Sequence, residues 1–307
     1  RSDLAQIFTG PLVIFFTYKY IGQNFQLALQ NLVLCVMGFG LMIMLLHWWL
    51  TRHVLKDKRL YQPENTQISI DQKTKLSLRE SLKFIIRSPY LRCIAVMVVA
   101  YGLTINLTEV TWKANLKLAY PETGAYQAFM ATVSSSVGVC SLFISLFLSG
   151  FIIRRLGWHF CAQLPPWVIG ITSLVFLLLF LNQGWIAPLT SVFGVTPLLL
   201  IVAFGAFQNV STKVMKYAFF DATKEMAYIP LSRELRTKGK AAAEIIGAKV
   251  GKSLGAFIQS TIFILVPAAT FDSISPILMV VFLGVIVLWV ADVRRLGVNY
   301  SKIIGEK

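Results

Sequence analysis

Charged residues are scarce in this chain. Of its 307 residues, 14% are charged and 56% are hydrophobic, and the mean hydropathy is +0.67. Soluble domains carry about 25% charged residues, so a soluble protein of this composition could not bury its apolar surface. The composition therefore predicts an all-α polytopic membrane protein, and it excludes a soluble enzyme, a disordered chain and a secreted disulfide scaffold.

Motifs for metal binding and catalysis are also lacking. The four cysteines (Cys35, Cys93, Cys140 and Cys161) have no CxxC spacing, and we expect them to be small buried side chains. Gly247–Ser253 resembles a phosphate loop but has three residues between its glycines where that motif needs four. We therefore expect no metal, no cofactor and no enzyme activity; a membrane enzyme and a structural or receptor role remain minor alternatives.

The apolar residues fall into blocks of about 20 or more, which is the length a helix needs to cross a bilayer. Helices satisfy all their backbone groups within one segment, so we expect these blocks to be helical. Eight spans are predicted, at 4–21, 27–50, 93–113, 125–151, 161–181, 195–220, 240–268 and 274–293. The first is short and contains Pro11, and no Met precedes it, so we expect the chain to be part of a longer protein.

The net charge of +15 is distributed asymmetrically between the loops. We name the side that holds residues 51–92 side one. The side-one loops contain 21 of the 29 basic residues, and the opposite side contains Lys19, Lys113 and Lys117. Basic loops stay in the cytoplasm, so side one is predicted to be cytoplasmic. The charge is thus explained by topology, and no nucleic-acid partner is expected.

These patterns divide the chain into three regions. Residues 1–50 would end an N-terminal bundle with two spans, the first of them truncated. Residues 51–92 would form a basic cytoplasmic linker that includes an amphipathic surface helix at 78–88. Residues 93–307 would form a six-span C-terminal bundle with a cytoplasmic tail. A specific lipid or partner for the linker is the alternative to a simple connecting role.

Few ionisable residues fall within the spans, where a charged side chain costs about 2.5–3.5 kcal/mol on insertion scales. Asn106, Glu109 and Lys113 recur at helical spacing and share one face of the third span. This polar stripe predicts a helix that lines a water-filled cavity. A local Glu109–Lys113 pair at the membrane interface is the alternative.

Lysines occur in two later spans, Lys213 and Lys216 in the sixth and Lys249 and Lys252 in the seventh. Lysines near a helix end can extend to the interface, but Lys252 lies about three turns into its span if the helix begins near Lys240. Small residues recur every four positions beside it, which favours close helix packing or ligand approach. They are Ala243, Gly247, Gly251 and Gly255. The excess of cations favours an anionic solute.

The plan of a long cytoplasmic linker followed by six spans resembles the second half of a major-facilitator transporter. The segment Gly150–Gly157, with Arg154 and Arg155 in a short cytoplasmic loop, resembles the G-x-x-x-D-R-x-G-R loop of that superfamily. Arg154 stands in place of the acidic residue. A tight basic turn without that relationship is the alternative.

Several motifs in order along the chain resemble the ATP/ADP translocase family of plastids and obligate intracellular bacteria. They are Ser88-Pro-Tyr-Leu-Arg92, Glu109-Val-Thr-Trp-Lys113, Thr196-Pro-Leu-Leu199, Lys216-Tyr-Ala-Phe-Phe-Asp221, Lys224-Glu-Met-Ala-Tyr-Ile-Pro-Leu231 and Gly251-Lys-Ser-Leu-Gly255. The resemblance implies a twelve-span nucleotide transporter, of which this chain would supply spans five to twelve. It implies exchange of ATP for ADP, with proton-coupled import of a broader set of nucleotides as the alternative. The expected membrane is a bacterial inner membrane, or a plastid inner envelope.

The resemblance also implies roles for residues. Glu109 and Lys252 match charged family positions linked to function. We expect Lys252 to bind phosphate, with Lys249 and Lys213 as weaker candidates, and Glu109 to balance these charges, contact ribose or carry a proton. Asn106 would join them in the substrate site. A gating or structural role is expected for a second group, Asp221, Lys224, Glu225, Arg154 and Arg155. The partners would be ATP, ADP or other nucleotides, the bilayer, and the missing N-terminal spans.

Overall fold

The fold is entirely helical in the residues that the computed structural model describes. These are residues 2–19, 25–54, 83, 85–192, 194–232, 235–266 and 270–305. The helices are α1 (Ser2–Lys19), α2 (Phe25–Trp49), α3 (Pro89–Ala119), α4 (Thr123–Phe143), α5 (Gly150–Leu181), α6 (Gln183–Val192), α7 (Pro197–Met215), α8 (Asp221–Tyr228), α9 (Lys240–Leu265) and α10 (Phe271–Gly305). π-Helical stretches extend or join them at Leu50–Val54, Ile144–Ser149, Lys216–Phe220 and Leu235–Gly239.

Two Ser/Thr-Pro pairs begin helices. The Ser88 hydroxyl accepts a hydrogen bond from the Leu91 amide at 3.3 Å, and Thr196 caps α7 in the same way. The proline that follows each cap has no N–H to leave unsatisfied, and its fixed φ suits the first helical turn. These local rules explain why α3 and α7 start where they do.

Five helical runs among the described residues are long and apolar enough to cross a membrane, which confirms an all-helical polytopic membrane protein. They are 26–54, 89–119, 123–181, 197–228 and 271–303. The predicted segments 4–21 and 240–268 correspond to α1 and α9, which are not among these five. The segments 125–151 and 161–181 lie in one run, which is interrupted at Gly157, where φ is +79°.

Several helices are longer than their predicted apolar segments. α3 extends beyond 93–113 at both ends, and α10 continues from 274–293 as far as Gly305. Apolar blocks mark only the stretch in hydrocarbon, whereas the backbone ladder continues into the interface. The prediction of a surface helix at 78–88 falls mostly outside the described residues, although Lys83 and residues 85–87 are helical. Of the predicted linker, residues 51–54 extend α2 as π-helix.

α3 lies at the centre of the packing. It contacts α7, α9 and α10, while α5 packs on α7 and α10, and α1 packs along α4. Large buried side chains fill the space between these helices, among them Trp112, Phe176, Phe282 and Trp289. Burial of such aromatic side chains dominates the packing energy of a core.

Three contacts bring the start of α3, the turn at Gly157, α8 and the end of α10 to one end of the molecule. The Tyr90 hydroxyl donates to the Ala227 carbonyl at 2.8 Å, and the Trp158 indole donates to the Thr223 carbonyl at 2.8 Å. Trp158 also stacks on Tyr300, with ring centroids 4.5 Å apart. These are segments that the loop charges assign together to side one.

Candidate functional site: a lysine-rich cluster around Glu109

Glu109 is the carboxylate at the centre of the predicted polar stripe. Its Oε1 lies 3.0 Å from Lys113 Nζ on the same helix and 3.9 Å from Lys213 Nζ on α7. The three side chains remain 23%, 41% and 30% exposed, so all are half-buried and reachable by a solute. The local Glu109–Lys113 pair therefore exists, but it forms part of a contact between two helices.

Two further lysines surround this group. Lys252 on α9 and Lys216 after α7 are close enough for their charges to act on Lys213. Lys216 also lies over two aromatic rings, 4.9 Å from the centroid of Tyr217 and 6.0 Å from that of Tyr101. We call Glu109, Lys113, Lys213, Lys216 and Lys252 the lysine-rich cluster. With one carboxylate among four ammonium groups, it leaves positive charge free to meet an anion.

The glycines of α9 pack directly against α3. A Cβ on Gly251 would lie 2.5 Å from the Val99 carbonyl oxygen and 3.1 Å from the Gly102 Cα. Neither backbone atom can move cheaply, so the two helices require glycine here. Close packing thus accounts for the small-residue spacing, and it places the backbone of Lys252 beside Gly102.

Asn106 lies one turn from this contact. Its side-chain oxygen is 3.4 Å from the Gln259 side-chain nitrogen, and a Cβ on Gly255 would collide with that same oxygen. Gln259 is 5% exposed and was not predicted as a site residue. Its position continues the four-residue spacing of Gly251 and Gly255, and that signal could have identified it. The Asn106–Gln259 pair supplies polar groups at the α3–α9 contact beside the cluster.

Lys252 lies about three turns into α9, which begins at Lys240. Its side chain is exposed along this chain, as is that of Lys249. No ion pair of Lys249 is found among the described residues. The structure therefore brings Asn106, Glu109, Lys213 and Lys252 into one region and leaves Lys249 outside the cluster.

The segment from Asp221 to Leu231, expected to be a loop, is mostly helix α8. Lys224 pairs with Asp221 at 3.3 Å and with Glu244 of α9 at 3.2 Å. Glu225 pairs with Lys240 at the start of α9, at 2.6 Å. These ion pairs tie α8 to α9, and the partners on α9 were not predicted. The segment is helical because the backbone hydrogen bonds of α7 continue through the π-helical stretch into α8.

Arg154 and Arg155 do not join those ion pairs. The Arg154 side chain donates to the Gly150 carbonyl at 3.1 Å, and the Arg155 guanidinium lies 4.7 Å from the Phe151 ring centroid. The expected loop here is helical up to Gly157, and both arginines are exposed. The link to α8 comes from the neighbouring Trp158.

The four cysteines are free, but of the four only Cys161 is buried: Cys35 and Cys93 are partly buried and Cys140 is exposed. In the part of the chain that the structure describes, no group of three or more His, Cys, Asp or Glu side chains could hold a metal ion. The arrangement of the lysine-rich cluster suits reversible binding of an anion.

Known proteins resemble this chain over most of its length. The family profile described as TLC ATP/ADP transporter matches residues 1–300. ADP,ATP carrier protein 3 of Rickettsia bellii is 44% identical over 90% of this chain, and ADP,ATP carrier protein 1 of Chlamydia pneumoniae is 40% identical over 88%. ADP,ATP carrier protein 2, chloroplastic, of Arabidopsis thaliana is 37% identical over 100% of it.

The aligned regions cover 54%, 52% and 49% of these relatives, so the chain spans about half the length of the curated relatives it matches. No solved structure matches this chain. The family match over residues 1–300 confirms the resemblance drawn from the sequence motifs. The chain belongs to the TLC ATP/ADP transporter family, a family of carriers rather than enzymes.

Proposed function

We propose that the protein containing this chain exchanges ATP for ADP across a membrane by alternating access. The observation that carries this proposal is the lysine-rich cluster, in which Glu109 contacts Lys113 and Lys213, and two further lysines, Lys216 and Lys252, lie near Lys213. Polyphosphates need cationic donors in a poorly solvated site, and lysine is a common phosphate ligand. The carrier names of the relatives support nucleotides as the anions.

Lys252 and Lys213 would bind the phosphates, and Glu109 would balance the charge of the lysines when no nucleotide is bound. Asn106, with Gln259, is placed to meet a less charged part of the nucleotide. Lys249 would act only as a secondary contact, because it lies outside the cluster. In this arrangement the phosphates of the nucleotide lie at the lysines, and its less charged part lies at the amide side chains.

We further propose a major-facilitator-like bundle with eight spans in this chain, corresponding to spans five to twelve of twelve. The run of 59 residues at 123–181 supports two spans there, because a straight helix of that length would be about 88 Å long and hydrocarbon is about 30 Å thick. The break at Gly157 would be the side-one turn between them. Residues 51–92 would then link two bundles, with residues 1–50 in one and 93–307 in the other.

The α8–α9 ion pairs are proposed to act as a gate on side one, which would be cytoplasmic. Lys224 bridges Asp221 and Glu244, and Glu225 holds Lys240 at the start of α9. Movement of α9 would break these contacts and carry Lys252 with it. We place the protein in a bacterial inner membrane or a plastid inner envelope, following the sources of its relatives.

Transport by vesicles that contain the whole protein tests the reaction. We expect ATP uptake to require ADP inside the vesicles and to ignore a pH gradient. Uptake that follows a pH gradient without internal nucleotide would instead establish proton-coupled import, with Glu109 as the candidate proton carrier. Release of inorganic phosphate would indicate an enzyme and would contradict the proposal.

Substitution of Lys252 tests the site. Loss of a charge-assisted contact costs about 1.5–3 kcal/mol, so Lys252→Ala should weaken ATP binding by roughly 10- to 150-fold. Lys252→Arg should restore binding only in part, because its planar fork has different donor geometry. Lys302→Ala, near the end of α10, removes the same charge and should leave affinity unchanged. An unchanged ATP affinity in folded Lys252→Ala protein would show that the lysine has a structural role.

A further inference from the structure

A second cationic site lies far from the lysine-rich cluster, where the start of α3 meets the end of α10. A cavity of about 540 Å³ opens there between the two helices. Its charged and polar lining residues are Arg92, Cys93, Asp292, Arg295 and Asn299. Arg92 is 17 residues before Glu109, which corresponds to about 25 Å along the helix. The nucleotide site proposed above therefore does not account for this cavity.

The two arginines are available to an external anion. Arg92 and Arg295 are both exposed, and no carboxylate among the described residues lies within salt-bridge distance of either guanidinium. Asp292 also lines the cavity; its Oδ2 is buried, and its carboxylate lies beside the Cys93 thiol and near enough to Arg295 for the two charges to attract. The cavity thus presents two guanidinium groups in front of one recessed carboxylate, and it favours an anion.

The position of the cavity indicates where that anion comes from. The predicted span 274–293 has the twenty residues that cross the hydrocarbon, and Arg295 follows its end, at the start of the headgroup layer. Arg92 lies in the first turn of α3, immediately before its long apolar stretch. Val96 and Val298 border the cavity with 43% and 57% exposure. Apolar rims beside paired arginines at this depth suit a phosphodiester that carries acyl chains.

We propose that this cavity binds the headgroup of an anionic glycerophospholipid, with Arg92 and Arg295 on the phosphate and Asn299 as a neutral donor. Arginine suits this task because its planar fork contacts two phosphate oxygens at once. We name this place the α3–α10 lipid site. A lipid bound there would join the side-one ends of both helices.

α10 also supplies a matched control. Arg294 is adjacent to Arg295 and at the same depth, but it lines a separate groove between α5 and α10. That groove, of about 370 Å³, is lined mostly by apolar side chains and contains one arginine. Any general attraction of basic side chains to an anionic membrane would act on Arg294 and Arg295 equally. Only a specific binding site at the cavity would make binding depend on Arg295 and not on Arg294.

The test is lipid binding to the full chain in neutral detergent, followed by native mass spectrometry. Phosphatidylglycerol is titrated against phosphatidylcholine. We expect Arg92→Gln and Arg295→Gln each to weaken phosphatidylglycerol binding about fivefold, and the double variant about 30-fold, which corresponds to roughly 1 kcal/mol per arginine. Arg294→Gln should change it by less than about twofold, and phosphatidylcholine binding should not change in any variant.

Three outcomes would overturn the proposal, the third of them competition by inorganic phosphate. One is an equal loss of phosphatidylglycerol binding in Arg294→Gln and Arg295→Gln, which would show that the arginines act only through the general positive charge of the surface. The other is undiminished phosphatidylglycerol binding in the double variant or, if that variant does not fold, in both single variants. Inorganic phosphate at millimolar concentration is expected not to compete. Competition by it would assign the cavity to a free anion rather than to a lipid.

Discussion

α2 and α3 are both long apolar helices, yet they have opposite surroundings in this chain. The most apolar stretch of α2 has no buried residue, whereas most of the corresponding stretch of α3 is buried. α3 is also the helix that carries charged groups within its span, with Glu109 and Lys113, and it has many hydroxyl side chains. α2 has neither an acidic residue nor a Lys or Arg between Phe25 and Trp49.

In this chain, which spans about half the length of its relatives, apolar character alone does not predict which helix is buried. Lipid is as apolar as a leucine side chain, so an apolar surface gains little by packing. Polar groups gain more, because hydrocarbon offers them no partner. In α3 the hydroxyls of Thr104, Thr108 and Thr111 donate to backbone carbonyls of their own helix. The more polar helix therefore lies inside the bundle.

The largest expected effect comes from removing the main aromatic side chain of α3. Trp112 is 1% exposed, and its indole donates to the Val202 carbonyl at 3.0 Å. Trp112→Ala should cost about 3–5 kcal/mol of stability, since it leaves a cavity and removes the hydrogen bond to the Val202 carbonyl. Trp48→Ala on α2 should cost less than about 1 kcal/mol, because its exposed ring contacts the Arg52 guanidinium and the His53 ring at the surface. Unfolding of both variants in detergent measures the contrast, and equal losses would contradict it.

A smaller effect is expected from adding one methyl group to a glycine. Gly251→Ala would force a Cβ to within 2.5 Å of the Val99 carbonyl oxygen, which should destabilise the α3–α9 contact by about 1–3 kcal/mol. Gly38 on α2 has nothing within 4 Å of its Cβ position. Gly38→Ala should therefore be neutral, or stabilising by up to about 1 kcal/mol through helix propensity. Thermal unfolding of the two variants, side by side, tests whether α9 lies where the structure places it.

The smallest expected losses of stability come from removing charge pairs, and they compare a half-buried pair with an exposed one. Glu109→Gln leaves Lys113 and Lys213 facing each other without a carboxylate and should cost about 1.5 kcal/mol. Glu225 is 52% exposed in its pair with Lys240, and Glu225→Gln should cost less than about 1 kcal/mol because water screens that pair. Both losses are read from denaturation midpoints. If Glu225→Gln costs more, then the α8–α9 pairs contribute more to folding than the lysine-rich cluster does.

Much of the candidate site could be predicted because its residues break a local rule. A carboxylate and lysines inside apolar segments are costly, so Glu109, Lys213 and Lys252 are conspicuous without any structure. Gln259 was overlooked because glutamine carries no charge, and Glu244 because it lies near a helix start, where acidic residues are common. Gln259 matters because it contacts Asn106, and Glu244 because it pairs with Lys224; both partners are distant in sequence.

The amino-acid sequence alone determined the membrane-spanning helical class and the family, and it pointed to the ionisable residues of the candidate site. These follow from composition and local periodicity, which act over a few helical turns. Only the tertiary structure decided which helices pack together, that the glycines of α9 pack on α3, and that Arg92 and Arg295 line one cavity. The reason is physical, because a helix presents the same apolar surface to lipid and to protein. Only close contacts between distant segments, such as Gly102 with Gly251, distinguish the two.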